Sequence, residues 1–473
     1  MTQKSMGKQK EQKVTVAGKV RKEVFGGIYY ERNRLVIELL NDTAFEILDM
    51  CQRGFSLDAI EKYLVEEYEA DAELIKSNFK TYMDYLLQSK FVSLDGKFFT
   101  EKEEKVKIQA IAMKDTSDKM YTLGMPPYVL SAPMKVLIEL THNCNLKCVH
   151  CFADADYCKK SSMGHIEGEL TTEQWYKVID NILEAGVFEI LLSGGEATMR
   201  KDLLDIAGYI QKKGASYCLL SNTTLIDDEM AKKLKETGCE KVESNMDGYN
   251  AETYDHFRGV EGSFDATVRG IKACLRQGIP VRCNVMETKM NIFDLKKIVD
   301  VAYEIGVREV CVVPLESGGR ARVNRHLAFQ EEDIEELHGF YQEVSTWFDK
   351  KYGQTDMILL TPNMLDKKSG SRFAKVFDIS GIMPTCGAGK IHCTVDPYGE
   401  VKLCPSDEAG LKKEANSLLK KDLRTIWKQS EILNWIRGGS FQNCQNCGKN
   451  CEFSCPLARI ERKEEYTCSY EEK

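Results

Sequence analysis

The run Met134-Lys135-Val136-Leu137-Ile138-Glu139-Leu140, followed by Thr141-His142-Asn143-Cys144-Asn145-Leu146-Lys147-Cys148-Val149-His150-Cys151, decides how the chain is read. Its first seven residues are a short apolar stretch and read as a strand. The next eleven place three cysteines on a loop at that strand's C-terminal end, where β/α barrels build their active sites. Three thiolates this close can hold three irons of a [4Fe–4S] cube and leave the fourth iron open. A zinc knuckle or an electron-carrier cluster is the plainer alternative. Either normally takes a fourth ligand close by, for which Cys158 and His150 are the candidates.

Outward from this loop a βα rhythm continues. Glu189–Ser193, Ser216–Ser221, Lys241–Asn245, Pro280–Val285 and Glu309–Val313 are further apolar runs separated by helical patterns. One helix spans Thr172–Ala185, opened by Thr171 with Gln174 three residues on and ended by Gly186. Strands alternating with helices imply a parallel sheet, and six units imply a partial (β/α)6 barrel over residues 134–370 in an α/β chain. Upstream, residues 99–133 read as a linker, charged over Glu101–Lys107 and punctuated by Pro126, Pro127 and Pro133. Residues 18–98 read as a small winged-helix-like domain. Its strands are Lys19–Phe25, Ile28–Glu31 and Leu35–Leu40, its helices Thr43–Cys51, Leu57–Tyr68 and Ala72–Gln88, and Phe91–Leu94 closes it. Residues 1–17 are expected to be a disordered polar tail.

The 473 residues carry 65 basic and 73 acidic side chains, a net charge of −8. An acidic chain repels phosphate backbones, so nucleic acid is not an expected partner. Residues 18–97 hold 11 Lys/Arg against 15 Asp/Glu, the wrong sign for a winged helix that binds DNA. No apolar run approaches the ~18–20 residues of a membrane span. Met1–Lys13 lacks the apolar core of a signal peptide, so no membrane partner and a cytoplasmic location are expected. The 18 cysteines are the informative number. In such a chain clustered cysteines more often ligate metal than form disulfides. Eight lie between Cys386 and Cys468; the isolated seven, Cys51, Cys158, Cys218, Cys239, Cys274, Cys283 and Cys311, read as buried small apolar residues.

Cys144-x3-Cys148-x2-Cys151 resembles the signature of the radical S-adenosylmethionine (SAM) enzymes. The resemblance implies that the open iron chelates SAM, whose reductive cleavage yields a 5′-deoxyadenosyl radical. It places the His150 ring beside the adenine. Gly194, Gly195 and Glu196, ending the second strand, match the turn that receives the SAM ammonium. Ser221 and Asn222 match the ribose-contact position, while Asn245, where a serine is common, and Arg258 would face the SAM carboxylate. Val312 and Val313 are candidates for an adenine wall, with core packing the alternative. No catalytic acid or base is named.

The C-terminal pattern Cys386-x12-Gly399-x4-Cys404, with Cys393 inside it, then Cys444-x2-Cys447-x3-Cys451-x3-Cys455 and Cys468, supplies eight thiolates. That is the ligand count of two cubes or of two zinc sites. It resembles the SPASM extension of radical SAM enzymes over residues 371–473, although x3 stands where five residues are usual. The resemblance implies interleaved ligation: Cys386, Cys393, Cys404 and Cys455 on one auxiliary cube, Cys444, Cys447, Cys451 and Cys468 on the other, for three [4Fe–4S] clusters in all. Residues 18–98 resemble the PqqD-like peptide-recognition domain, in which a leader peptide adds as a strand beside the third strand and packs on the third helix. Together the modules look closest to thioether-forming ribosomal-peptide maturases of the subtilosin type. That likeness implies a precursor peptide with a leader as partner and an external electron donor of flavodoxin or ferredoxin type. A C–C-crosslinking or formylglycine-forming enzyme and a non-catalytic iron–sulfur peptide-binding scaffold are the rival readings.

Overall fold

The computed structural model describes residues 14–31, 36–94, 96, 129–155, 166, 168–315, 318–361, 387–407 and 416–437. The chain divides into two units, Met1–Met120 and Tyr121–Lys473.

The first unit runs β1 (Thr15–Val16), β2 (Lys19–Glu23), β3 (Gly26–Glu31), β4 (Val36–Leu40), α1 (Asp42–Gln52), α2 (Leu57–Glu67), α3 (Ala72–Gln88) and β5 (Val92–Ser93). Each helix starts behind a side-chain cap: Asn41, Ser56 and Asp71 accept from the amides of Ala44, Ala59 and Leu74. Strands β2, β3 and β4 form an antiparallel sheet with β4 at one edge. Tyr29, Leu48, Ile60, Leu86 and Phe91 centre the core, Tyr29 stacking on Phe91 at 4.5 Å between centroids. Residues 14–17, expected to lie in the polar tail, are part of the fold. Val14 is buried and β1 pairs antiparallel with β5, because the small core needs both to close it.

In the second unit β6 (Lys135–Glu139), β7 (Glu189–Ser193), β8 (Tyr217–Leu220), β9 (Cys239–Asn245), β10 (Val281–Glu287) and β11 (Glu309–Pro314) pair in parallel, in chain order. Helices α4 (Thr172–Glu184), α5 (Leu203–Lys212), α6 (Asp228–Glu236), α7 (Ala251–Arg258), α8 (Ser263–Arg276) and α9 (Leu295–Glu304) connect them. Helix α4 opens with the expected capping box, the Thr171 and Gln174 side chains bonding reciprocally. After β11 come α10 (Gly319–Val323), α11 (Ile334–Tyr352) and β12 (Ile358–Leu360), then β13 (His392–Val395), β14 (Val401–Lys402), α12 (Leu423–Gln429) and α13 (Glu431–Arg437). Among the described residues three strands, β12, β13 and β14, exceed the six-unit expectation. Strand β12 extends the sheet beyond β11, and β13 from the cysteine-rich tail pairs in parallel with β6. The sheet thus has nine strands, in the order β12-β11-β10-β9-β8-β7-β6-β13-β14.

Alternation along the strands separates two environments. Val136 and Ile138, Ile190 and Leu192, Leu219, Val242, Val285 and Val310 join Trp175, Ile206 and Ile298 of the helices in one core. On β9, β10 and β11 several of the alternate positions are charged and neutralise one another. Lys241 and Arg282 meet Glu309 at 2.6 and 2.5 Å, and Arg282 meets Glu243 at 3.5 Å. Of the isolated cysteines, Cys51, Cys218, Cys239, Cys274 and Cys283 are buried and Cys311 is half-buried; Cys158 lies outside the described residues. Among the described residues no helix is long and apolar enough to cross a membrane.

Candidate active site

The cysteine loop leaves β6 and is gripped from two sides. The Gly195 amide donates to the Thr141 carbonyl (2.6 Å) and the Glu196 amide to the Asn143 carbonyl (2.8 Å). Opposite, the Lys147 and Val149 amides donate to the carbonyls of Arg258 (3.0 Å) and Phe257 (3.1 Å) at the end of α7. The first grip explains the paired glycines. Gly194 has φ +148°, and a Cβ there would stand 2.5 Å from the Thr141 oxygen; a Cβ on Gly195 would stand 2.5 Å from the Asn143 oxygen.

Cys144 and Cys148 are buried with Leu146 and Ala155, and Cys151 packs half-buried against them. Burial, helped by the nearby Glu196 carboxyl, pushes the Cys144 thiol up to about 12, and burial raises Cys151 as well. Such thiols ionise when a metal cation takes the proton's place. Among the described residues no three His, Cys, Asp or Glu side chains converge on a single-ion site. Thiols that each take a different iron of a cube need no such convergence.

The residues expected around SAM are brought to this loop. Glu196 Oε1 accepts from the Thr198 amide (3.0 Å) and Ser221 Oγ (2.8 Å), and Oε2 from the Asn222 amide (2.7 Å), so the carboxylate braces the end of β7 to the end of β8. Burial nevertheless outweighs these bonds and raises its pKa. Asn222 Nδ2 donates to Asn145 Oδ1 (2.9 Å), tying the third-strand loop to the cysteine loop. Arg258 Nη1 donates to Cys148 Sγ at 3.4 Å. The same guanidinium pairs with buried Asp247, which also accepts from the Met286 amide at 2.6 Å. Asp247 is the partner that motif reading left without a role; the signal was an acidic residue two positions past a strand, ahead of a buried arginine. The His150 ring lies 4.6 Å from that of Phe257, and burial, then the charges of Arg258 and Arg320, hold it neutral. Its Nδ1 and Arg258 Nε are buried without partners among the described residues. Two orphaned nitrogens beside three thiols fit a ligand with a heteroaromatic ring and a carboxylate next to a cluster. Asn245 ends β9, half-buried. Val312 belongs to the outer core and Val313 takes the alternate face.

Glu139, at the end of β6, is buried. Burial raises its pKa from the ordinary value near 4.5 to about 7, with Lys402 opposing and Asp396 adding. The unfolded chain ionises in that interval while the folded chain keeps the proton. The associated stability is therefore full below about pH 4.5 and lost as pH rises through about 7, about 3 kcal/mol at most. Glu139→Gln is expected to flatten the fall in thermal midpoint between about pH 5 and about pH 8. A variant whose midpoint follows the wild-type pH curve would refute this.

Of the auxiliary cysteines, Cys386, Cys444, Cys447, Cys451, Cys455 and Cys468 lie outside the described residues. Cys404 is half-buried against the core. Cys393 is fully buried on β13, in register with Val136 and among the same apolar side chains, and burial pushes its thiol up to about 12. That setting suits a packed strand thiol and counts against the expectation that Cys393 ligates a cube.

Fold and loop together define a β/α barrel with a three-cysteine loop at the end of its first strand and a cysteine-rich tail. The profile of the Radical SAM superfamily matches residues 138–313, and that of the iron–sulfur cluster-binding SPASM domain matches 386–452. The chain carries both domains. It is 41% identical over 224 residues to the Fe-coproporphyrin III synthase of Methanosarcina barkeri, 45% of this chain and 54% of that protein, so it spans about half of that relative's length. It is 28% identical over 344 residues to the mycofactocin maturase MftC of Mycolicibacterium smegmatis, covering 70% of this chain and 80% of MftC. Streptococcus suis SuiB, solved bound to S-adenosylmethionine, shares the fold over 95% of this chain and 96% of its own, with 18% identity and a TM-score of 0.65.

Proposed function

We propose that this chain is a radical SAM peptide maturase that closes a thioether between a cysteine sulfur and a carbon of one ribosomally made precursor peptide. The observation that carries this is the likeness to SuiB over 95% of the chain, since SuiB has also been solved bound to its precursor peptide SuiA. The likeness to MftC, a maturase by name, points the same way. Cys144, Cys148 and Cys151 would hold the open cube, and Cys386, Cys404, Cys444, Cys447, Cys451, Cys455 and Cys468 would hold two auxiliary ones. When bound, cluster and SAM would supply the species that takes one hydrogen atom from a peptide carbon, and closing the S–C bond would then release the thiol proton to water and one electron to the auxiliary clusters. Gly194 and Gly195 would let the backbone come close to the SAM amino acid end, Arg258 would offer its unpaired Nε to the carboxylate, and His150 would take the ring. A flavodoxin- or ferredoxin-type protein would deliver the electron.

The leader would add to the edge of β4 and rest on α3, in the manner of strand addition to an exposed sheet edge. Tyr85 of α3 donates to Glu38 of β4 at 3.0 Å, so that helix and that strand already meet. Deleting residues 1–98 is expected to abolish leader binding in calorimetry while 5′-deoxyadenosine formation stays within about twofold, because the second unit has its own core. Unchanged leader affinity would overturn the assignment. The likeness to Fe-coproporphyrin III synthase favours a second reading, a reaction that makes an iron tetrapyrrole. Anaerobic reduced protein with SAM, offered the cysteine-bearing peptide, tests the first reading: it requires a peptide product two mass units lighter.

A further inference from the structure

The grips described so far, from Gly195, Glu196 and the end of α7, reach no further along the cysteine loop than Val149. The half that carries Cys151 is held by another segment, Gly318-Gly319-Arg320-Ala321-Arg322-Val323-Asn324, which follows the sixth barrel strand. Arg320 Nε donates to the Cys148 carbonyl (2.8 Å), Nη2 to the Ala155 carbonyl (2.9 Å) and Nη1 to Asp154 Oδ1 (2.9 Å). The Arg320 amide donates to the Cys151 carbonyl (2.8 Å). Asn324 Nδ2 donates to the Val149 carbonyl (2.8 Å). Three faces of one guanidinium thus take three acceptors spread over eight residues of loop.

Of residues 148–155 only Cys148, His150 and Ala155 are buried, so this stretch has little apolar burial with which to order itself. Carbonyls turned inward need donors, and a planar fork serves several at fixed angles where an ammonium serves none of them so precisely placed. We infer that Arg320 and Asn324 are positioning residues that hold residues 148–155 in the shape that receives the cluster before any iron arrives. Arg320 also places a permanent positive charge beside Cys148 and Cys151, opposite in sign to a thiolate-bound cube. The segment touches no reacting atom and acts through the loop.

This rests on Cys144, Cys148 and Cys151 being the cluster ligands, which iron analysis of their variants tests separately. The direct test needs no iron: hydrogen exchange of the full-length apo-protein, read on peptides covering residues 148–155. Arg320→Ala is expected to speed exchange there by about tenfold or more, as befits the loss of one or more charge-assisted bonds. Arg320→Lys, which keeps the charge and loses the fork, should speed it nearly as much, and Asn324→Ala by about threefold to tenfold. Exchange in Glu189–Ser193 and Tyr217–Leu220 should not change, which reports that the barrel is folded. After iron and sulfide are restored, Arg320→Lys should show a smaller SAM-induced change in the EPR signal of its reduced cluster than the wild type. Wild-type exchange at 148–155 in both the Arg320→Ala and the Asn324→Ala proteins, with the barrel strands protected, would overturn the inference. If Arg320→Ala does not fold, Asn324→Ala and Arg320→Lys decide alone.

Discussion

Replacing Cys144, Cys148 and Cys151 together by alanine is expected to abolish reductive cleavage of SAM and to lower bound iron by about a third. The three thiols sit on one loop whose backbone is held by Gly195, Glu196 and α7, so removing the sulfurs leaves those bonds in place. Their small apolar pocket, Leu146 and Ala155, tolerates alanine with little lost packing. The seven tail cysteines proposed as auxiliary ligands are untouched, and ligands of separate clusters act independently. Iron content, the visible absorbance of the auxiliary clusters and anaerobic 5′-deoxyadenosine formation measure the three parts of the expectation. A variant that still makes 5′-deoxyadenosine would remove the loop from its assigned role.

Gly195→Ala is the second large effect, and it needs no change of chemistry. The added methyl would stand 2.5 Å from the Asn143 oxygen and 2.8 Å from both the Asn143 carbonyl carbon and the His142 oxygen. These are backbone atoms one and two residues ahead of Cys144, so the relief must come from moving the cysteine loop. SAM affinity should fall by about a hundredfold or more, about 2.7 kcal/mol. Gly208→Ala in α5 is the matched control. Its nearest neighbour would be Thr237 Cγ2 at 3.7 Å, an ordinary contact, and helix propensity favours the change. Equal SAM affinity in the two variants, measured by equilibrium binding, would show that the close approach at Gly195 is not needed.

The barrel was legible because parallel strands flanked by helices must be short and apolar, and the runs from Met134 to Val313 meet that demand in order. The start of α4 was legible because Thr171 and Gln174 carry their own capping chemistry. The cysteine loop was legible because ligand spacing is a local property. What was not legible is what depends on distant partners. Asp247 and Arg258 are eleven positions apart and meet only once β9 and α7 are placed. Arg320 reaches a loop on the first barrel strand from beyond the sixth. Cys393 shows the limit most clearly: its spacing from Cys386 suggests a ligand, while strand alternation sets it opposite Val136 in the core. Spacing cannot report on which face of a strand a sulfur falls.

Strand β13 lies against β6 over four paired positions, from His392 with Lys135 to Val395 with Ile138. The first barrel strand to leave the ribosome therefore waits for a segment about 250 residues further along the chain. During that interval Lys135–Glu139 carries an open hydrogen-bonding edge and an apolar face, the combination that recruits other strands and chaperones. Synthesis, not iron, sets the earliest moment at which this sheet can be whole. The tail, in turn, cannot be trimmed away as an accessory without giving the oldest strand of the barrel back to solvent.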